Sequence, residues 1–117
     1  MEELVEVRPL YSIYADDPVV ETHLNNFVTS MPQIILNCKN MIAKNDWVSL
    51  SRYFHKINGS YSTYGYPELQ ELAAYAELII RAKDDLKVSE KKVVVSIVSN
   101  LEDLSIRANR VIEWLMR

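Results

Sequence analysis

Two histidines occur in the 117-residue sequence, and one of them, His55, lies in the stretch SRYFHKINGSYSTYGYP together with both glycines of the chain. Gly59 follows that histidine by four residues. On a helix, positions i and i+4 are neighbours on one face. Glycine in a helix interior costs roughly 1 kcal/mol relative to alanine. A glycine at that spacing leaves the imidazole beside a hollow, where the backbone of another protein has room to approach. An unperturbed imidazole, with a pKa of about 6.5, is largely neutral near pH 7 and offers a ring nitrogen as a nucleophile. The plain alternative is a solvated surface histidine, followed by NGS as a fraying helix end or turn.

Other chemistries find less support. A metal-binding bundle needs Glu-x-x-His pairs, but the residues three before His23 and His55 are Val20 and Arg52, and Glu21 precedes His23 by two. No metal site is read, and His23 is expected to be an ordinary surface or flanking residue. The acidic pairs at 16–17 and 84–85 read as cap and loop chemistry. No glycine-rich nucleotide loop is present. The balance of 13 basic against 16 acidic residues gives a net charge of −3. With no basic cluster interleaved with aromatics, a nucleic-acid partner is not expected. No apolar stretch approaches the ~20 residues of a membrane span, and MEELVEVRPL lacks the apolar centre of a signal peptide. The lone Cys38 allows no internal disulfide and fits a reducing compartment, so a cytoplasmic location is expected.

The elements that position His55 read as helices. With 2 glycines and 4 prolines, the chain has little material for the turns of a β protein. Asp16, Asp17 and Pro18 mark a helix start, and the apolar period from Val20 to Ile42 follows. Pro32 lies inside that period and is expected to kink or split the helix near Ser30. Asp46 caps a second helix, Trp47 to about Thr63, whose seam is Trp47, Leu50, Phe54, Ile57, Tyr61 and Tyr64. Gly65 suits a left-handed helix end, and Pro67 opens a third helix to about Lys83. A fourth starts from a Ser89 cap and carries Val94, Ile97, Leu101, Leu104, Ala108, Val111 and Leu115 as its stripe. The expectation is a single domain over 1–117, all-α. Residues 1–16 form an N-terminal arm or short helix, and 17–116 an up-and-down antiparallel four-helix bundle.

At about 100° per residue, the seam of the second helix centres at roughly 310° when Trp47 is set to zero. His55 then lies at roughly 80°, on the water side, with Val48, Ser51, Arg52, Gly59 and Ser62.

The segment FHKINGSYSTYGYPELQELAAYAEL resembles the signature of histidine phosphotransfer (HPt) domains. That signature is an exposed histidine, a glycine four residues on, a small residue next, and a second glycine ten after the histidine. His55, Gly59, Ser60 and Gly65 match it. PELQELAAYAEL looks like the third bundle helix of the family, and the resemblance extends over roughly residues 15 to 85. It implies a phosphocarrier of a multistep two-component relay, without kinase activity of its own. His55, through Nε2, would accept a phosphoryl group from a receiver aspartate and pass it to another receiver. Arg52, Lys56, Asn58, Gly59 and Ser62 would surround the phosphate, and Val48 and Ser51 would belong to the docking face. The implied partners are response-regulator receiver domains or a hybrid sensor kinase. The receiver would supply Mg²⁺, this chain would carry no cofactor, and it would act as a monomer. One position departs from the family: a Lys or Arg usually stands three residues after the histidine, and here it is Asn58. Arg52 and Lys56 are the nearby cations, Arg52 being closer to the His55 side. The departure keeps a second reading open, a pseudo-HPt adaptor that binds receiver or other signalling domains without being phosphorylated.

Overall fold

Asp17 starts the first helix by accepting a hydrogen bond from the Val19 N–H at 2.9 Å, with Pro18 in the first helical position, where no donor is needed. Asp46 does the same for the second helix, accepting from the Ser49 N–H at 3.2 Å. The computed structural model of the chain describes residues 8–82 and 85–115. Four helices lie among them: α1 Pro18–Ala43, α2 Trp47–Thr63, α3 Pro67–Arg81 and α4 Val88–Leu115. Short connections make successive helices antiparallel, and the packed pairs α1–α2, α2–α3, α3–α4 and α1–α4 close a four-helix ring. Leu24, Met31 and Cys38 of α1 meet Leu50, Phe54 and Tyr61 of α2, Leu69, Ala73 and Ala76 of α3, and Val94 and Leu101 of α4 in one core. The architecture is the expected all-α bundle.

Two features differ from expectation. Pro32 does not split α1, which runs unbroken through it. Proline removes the N–H that would bond the carbonyl four residues earlier, here that of Val28. Asn109 of α4 supplies the missing donor, its Nδ2 lying 3.1 Å from the Val28 oxygen and 2.9 Å from the Ser105 oxygen. Helix α4 starts at Val88, so Ser89 is inside it and is not the cap. The Glu90 carboxylate reaches back to accept from the Lys87 N–H at 2.9 Å, the reciprocal half of a capping box. Helix α3 stops at Arg81, and the expected end at Lys83 lies outside the described residues.

The arm is a strap over one end of the bundle. Leu10 is buried, and its N–H donates to the Arg107 carbonyl at 3.0 Å. The Ile13 N–H donates to the Gly65 carbonyl at 2.9 Å, and the Ser12 hydroxyl donates to the Tyr64 carbonyl. Gly65 has φ +79°, and a Cβ there would stand 2.6 Å from Ser12 Oγ and 2.7 Å from Ile13 Cγ1. Two independent constraints, handedness and the strap, therefore require glycine at 65. Among the described residues of the strap, Leu10 is the one large apolar side chain that is buried; Tyr11, Ile13 and Tyr14 are exposed, and Leu4 and Val5 lie outside the described residues.

Candidate functional site

Once Asp46 sets the start of α2, the seam Leu50, Phe54, Ile57 and Tyr61 turns into the core and its opposite face meets water. His55 lies on that water-facing side, its side chain 75% exposed. The segment Asn58–Gly59–Ser60 is helical, and α2 continues to Thr63, so NGS is neither a fraying end nor a turn.

The ring is not free to rotate. Its Nδ1 lies 3.0 Å from Oε2 of Glu77 on α3, and the same oxygen accepts from Arg81 Nη1 at 3.0 Å. Glu77 is buried, its side chain only 9% exposed. An unpaired carboxylate in such a place costs several kcal/mol. Here two charge-assisted or polar donors converge on it. A carboxylate facing a guanidinium can only accept, so the ring is held as the Nδ1–H tautomer. The lone pair of Nε2 then points outward, and among the described residues nothing bonds it.

A hollow of about 550 Å³ opens beside the ring, between α2 and α3, lined by Val48, Ser51, Arg52, His55, Glu77, Ile80 and Arg81. Its one carboxylate is turned inward toward two donors, while the cations Arg52 and Arg81 stand exposed at the rim. The hollow therefore suits an anion. Among the described residues, no three His, Cys, Asp or Glu side chains converge as a metal site would need.

The expected site residues are distributed unevenly around it. Val48 is 65% exposed at the edge of the hollow. Ser51 is buried; α3 covers this flank of α2, so the hydroxyl belongs to the floor and not to an exposed face. Lys56, Asn58, Gly59 and Ser62 do not line the hollow. The opening is thus on the Arg52 side of His55, not on the Gly59 side as the i+4 spacing suggested. Side chains on a helix lean toward its N-terminus, which carries the imidazole away from Gly59. Gly59 is still open ground: a Cβ added there would meet nothing within 4 Å. The fold itself does not require that glycine.

Glu77 and Arg81 were not among the residues singled out from the sequence. A signal for Glu77 was present, since it sits one turn from Ala73 and Ile80 within the apolar stripe of α3. A carboxylate on a buried stripe demands a partner. Arg81, four residues on, is one such partner, at the favourable glutamate-to-cation helix spacing. That His55 is the other could not be read without knowing how α2 and α3 pack.

Fold and site together define a helical-bundle module built around one solvent-facing, carboxylate-backed histidine. The family model for the Hpt domain matches residues 23–110 of the 117, and the chain belongs to the Hpt domain family. Hpt domains are phosphocarrier modules of phosphorelays rather than kinases, and they interact with receiver and kinase signalling domains. No curated protein and no solved structure matches the chain. No described helix is long and apolar enough to cross a membrane.

Proposed function

We propose that this protein is a phosphoryl-accepting Hpt module, with His55 as the phosphoacceptor and Nε2 as the nucleophile. The observation that carries the reading is the His55–Glu77 contact, which holds Nδ1 and leaves Nε2 aimed at solvent. With a receiver's phosphoaspartate as donor, Nε2 attacks phosphorus and the Nε2–P bond forms. The P–O bond to the aspartate breaks, and the carboxylate leaves with the electron pair. The proton on Nδ1 stays, so the ring gains positive charge directly against Glu77. Attack by a second receiver's aspartate on the same phosphorus reverses these changes and returns neutral His55. Positioning and charge neutralisation do most of the work in such a transfer, and both are local here.

Gly59 fits this reading as well. Because the fold has room for a side chain at 59, glycine there leaves α2 weaker than alanine would, by roughly 1 kcal/mol. A partner's backbone closing over the acceptor gives that cost a reason. Asn58 favours the adaptor reading, in which receivers bind but no phosphoryl group moves.

The test is transfer from a panel of phosphorylated receiver domains, with mass spectrometry locating the label and His55→Gln as control. Acid-labile phosphate on His55, absent from the variant, is the expected result. Binding of receivers without labelling would replace the carrier by the adaptor. Neither labelling nor binding across the panel would overturn both.

A further inference from the structure

Resting on the phosphocarrier reading, we infer that Arg52 is the residue that grips the phosphoryl group on His55.

The geometry separates the cations near the ring. Arg81 lines the hollow, but its Nη1 is engaged with Glu77. Lys56 and Asn58 do not line it, and Asn58, half-buried, carries no charge. Arg52 lines the hollow, is exposed, and among the described residues has no hydrogen bond or ion pair. The carboxylate that feels its charge is that of Asp46, which is already occupied in capping the Ser49 N–H. An arginine without a partner is thus left on the rim of the hollow that the acceptor ring faces.

Its position relative to the ring is favourable. Arg52 precedes His55 by three residues, one helical turn, and the imidazole leans toward that turn. A phosphoryl group on Nε2 carries about −1.5 to −2 charge and three acceptor oxygens. The planar fork of a guanidinium matches two of those oxygens at once. Its charge is also permanent, so across the physiological range only the ionisation of the phosphoryl group itself varies. The phosphoryl group is therefore held on the Val48–Arg52 side of the ring. A partner's acidic site must approach from there.

The experiment uses the full chain and two donors. One is a phosphorylated receiver domain. The other is phosphoramidate, which has no docking surface and loses ammonia as the Nε2–P bond forms. Arg52→Gln is expected to slow labelling by about ten-fold with both donors, the loss of roughly one charge-assisted hydrogen bond. Arg52→Lys should restore part of the rate. Lys92→Gln on α4, which removes the same charge elsewhere, should change neither. Phosphorus NMR of the labelled protein gives a second readout: without the guanidinium, the phosphoryl group on His55 should titrate at higher pH. If Arg52→Gln is labelled by phosphoramidate at the wild-type rate, the guanidinium does not touch the phosphoryl group and the inference is overturned, even where the receiver reaction is slowed. If the wild type takes label from neither donor, the carrier reading falls and this inference falls with it.

Discussion

The α2–α3 pair and the α1–α4 pair each turn a polar side chain inward, Glu77 fully buried and Asn109 half-buried, to opposite ends. Between α2 and α3, Glu77 is buried so that an exposed imidazole can be held in one orientation and one tautomer. Between α1 and α4, Asn109 points inward to give the Val28 carbonyl the donor that Pro32 cannot. The first arrangement gains little for the fold, because a buried ion pair is often no better than well-packed apolar groups. The second repairs a break in a core helix, where an orphaned carbonyl costs roughly 1–3 kcal/mol. Burial of a polar group is therefore no guide to its role. What matters is whether its partner is backbone, which any fold must satisfy, or an exposed side chain, whose orientation the fold does not require. The Lys39–Glu102 ion pair, also between α1 and α4, is solvent-exposed on both sides and carries little of either load.

That contrast can be broken by exchanging the two residues for leucine. Glu77→Leu frees the ring and should lower phosphoryl transfer by roughly 10²-fold, while the unfolding free energy from urea titration stays within about 1 kcal/mol of wild type. Asn109→Leu should do the reverse, lowering stability by roughly 1–3 kcal/mol with the transfer rate unchanged. If both variants lost stability alike, the division of roles would be wrong.

A smaller effect sharpens the α1–α4 half. Pro32→Ala restores an N–H opposite the Val28 carbonyl, so Asn109→Leu should cost about 1 kcal/mol less in that background than in the wild type. Additive costs in the double-mutant cycle would mean that Asn109 acts through Ser105 alone.

The core between these two faces provides the third contrast, titratable groups buried with no charged partner at all. Burial pushes the Cys38 thiol from 9.0 up to about 12, and Tyr66 from 10.0 up to about 12. Burial also pushes the Tyr61 hydroxyl upward. These folded pKa values lie above the unfolded ones, so the native chain keeps protons that the unfolded chain releases. The stability they contribute is complete below pH 9 and is lost as pH rises toward 12, by about 1.4 kcal/mol per pH unit for each group. Cys38→Ala should lower the whole stability curve by leaving a small void. It should also delay the onset of the alkaline decline from near pH 9 to near pH 10, where the tyrosines begin. Stability measured against pH from 7 to 11 checks both.

Much of the fold was legible because it rests on local chemistry. Asp17 with Pro18, Asp46, and Gly65 with Pro67 are start and stop signals that act within a few residues, and each stands where the sequence placed it. The outward direction of His55 was equally readable, since a seam of period 3.6 leaves one face to solvent. The split considered at Pro32 does not occur, because the donor that proline removes is replaced from 77 residues away, by Asn109. Ser51 and the side of the opening were misjudged for a related reason. A projection of α2 alone contains neither the helix that covers Ser51 nor the carboxylate that draws the ring toward α3.

By itself, then, the sequence determined four helices, the core seams and the exposure of one histidine, because periodicity and capping depend only on neighbours along the chain. Only the tertiary structure decided which ring nitrogen is free, because Nδ1 meets its partner 22 residues further on, across a helix–helix interface. It also decided which cations share the hollow, because that depends on how α3 lies against α2. Hydrogen bonds and charges act over a few ångströms in space, and spacing along one helix cannot report contacts made between two.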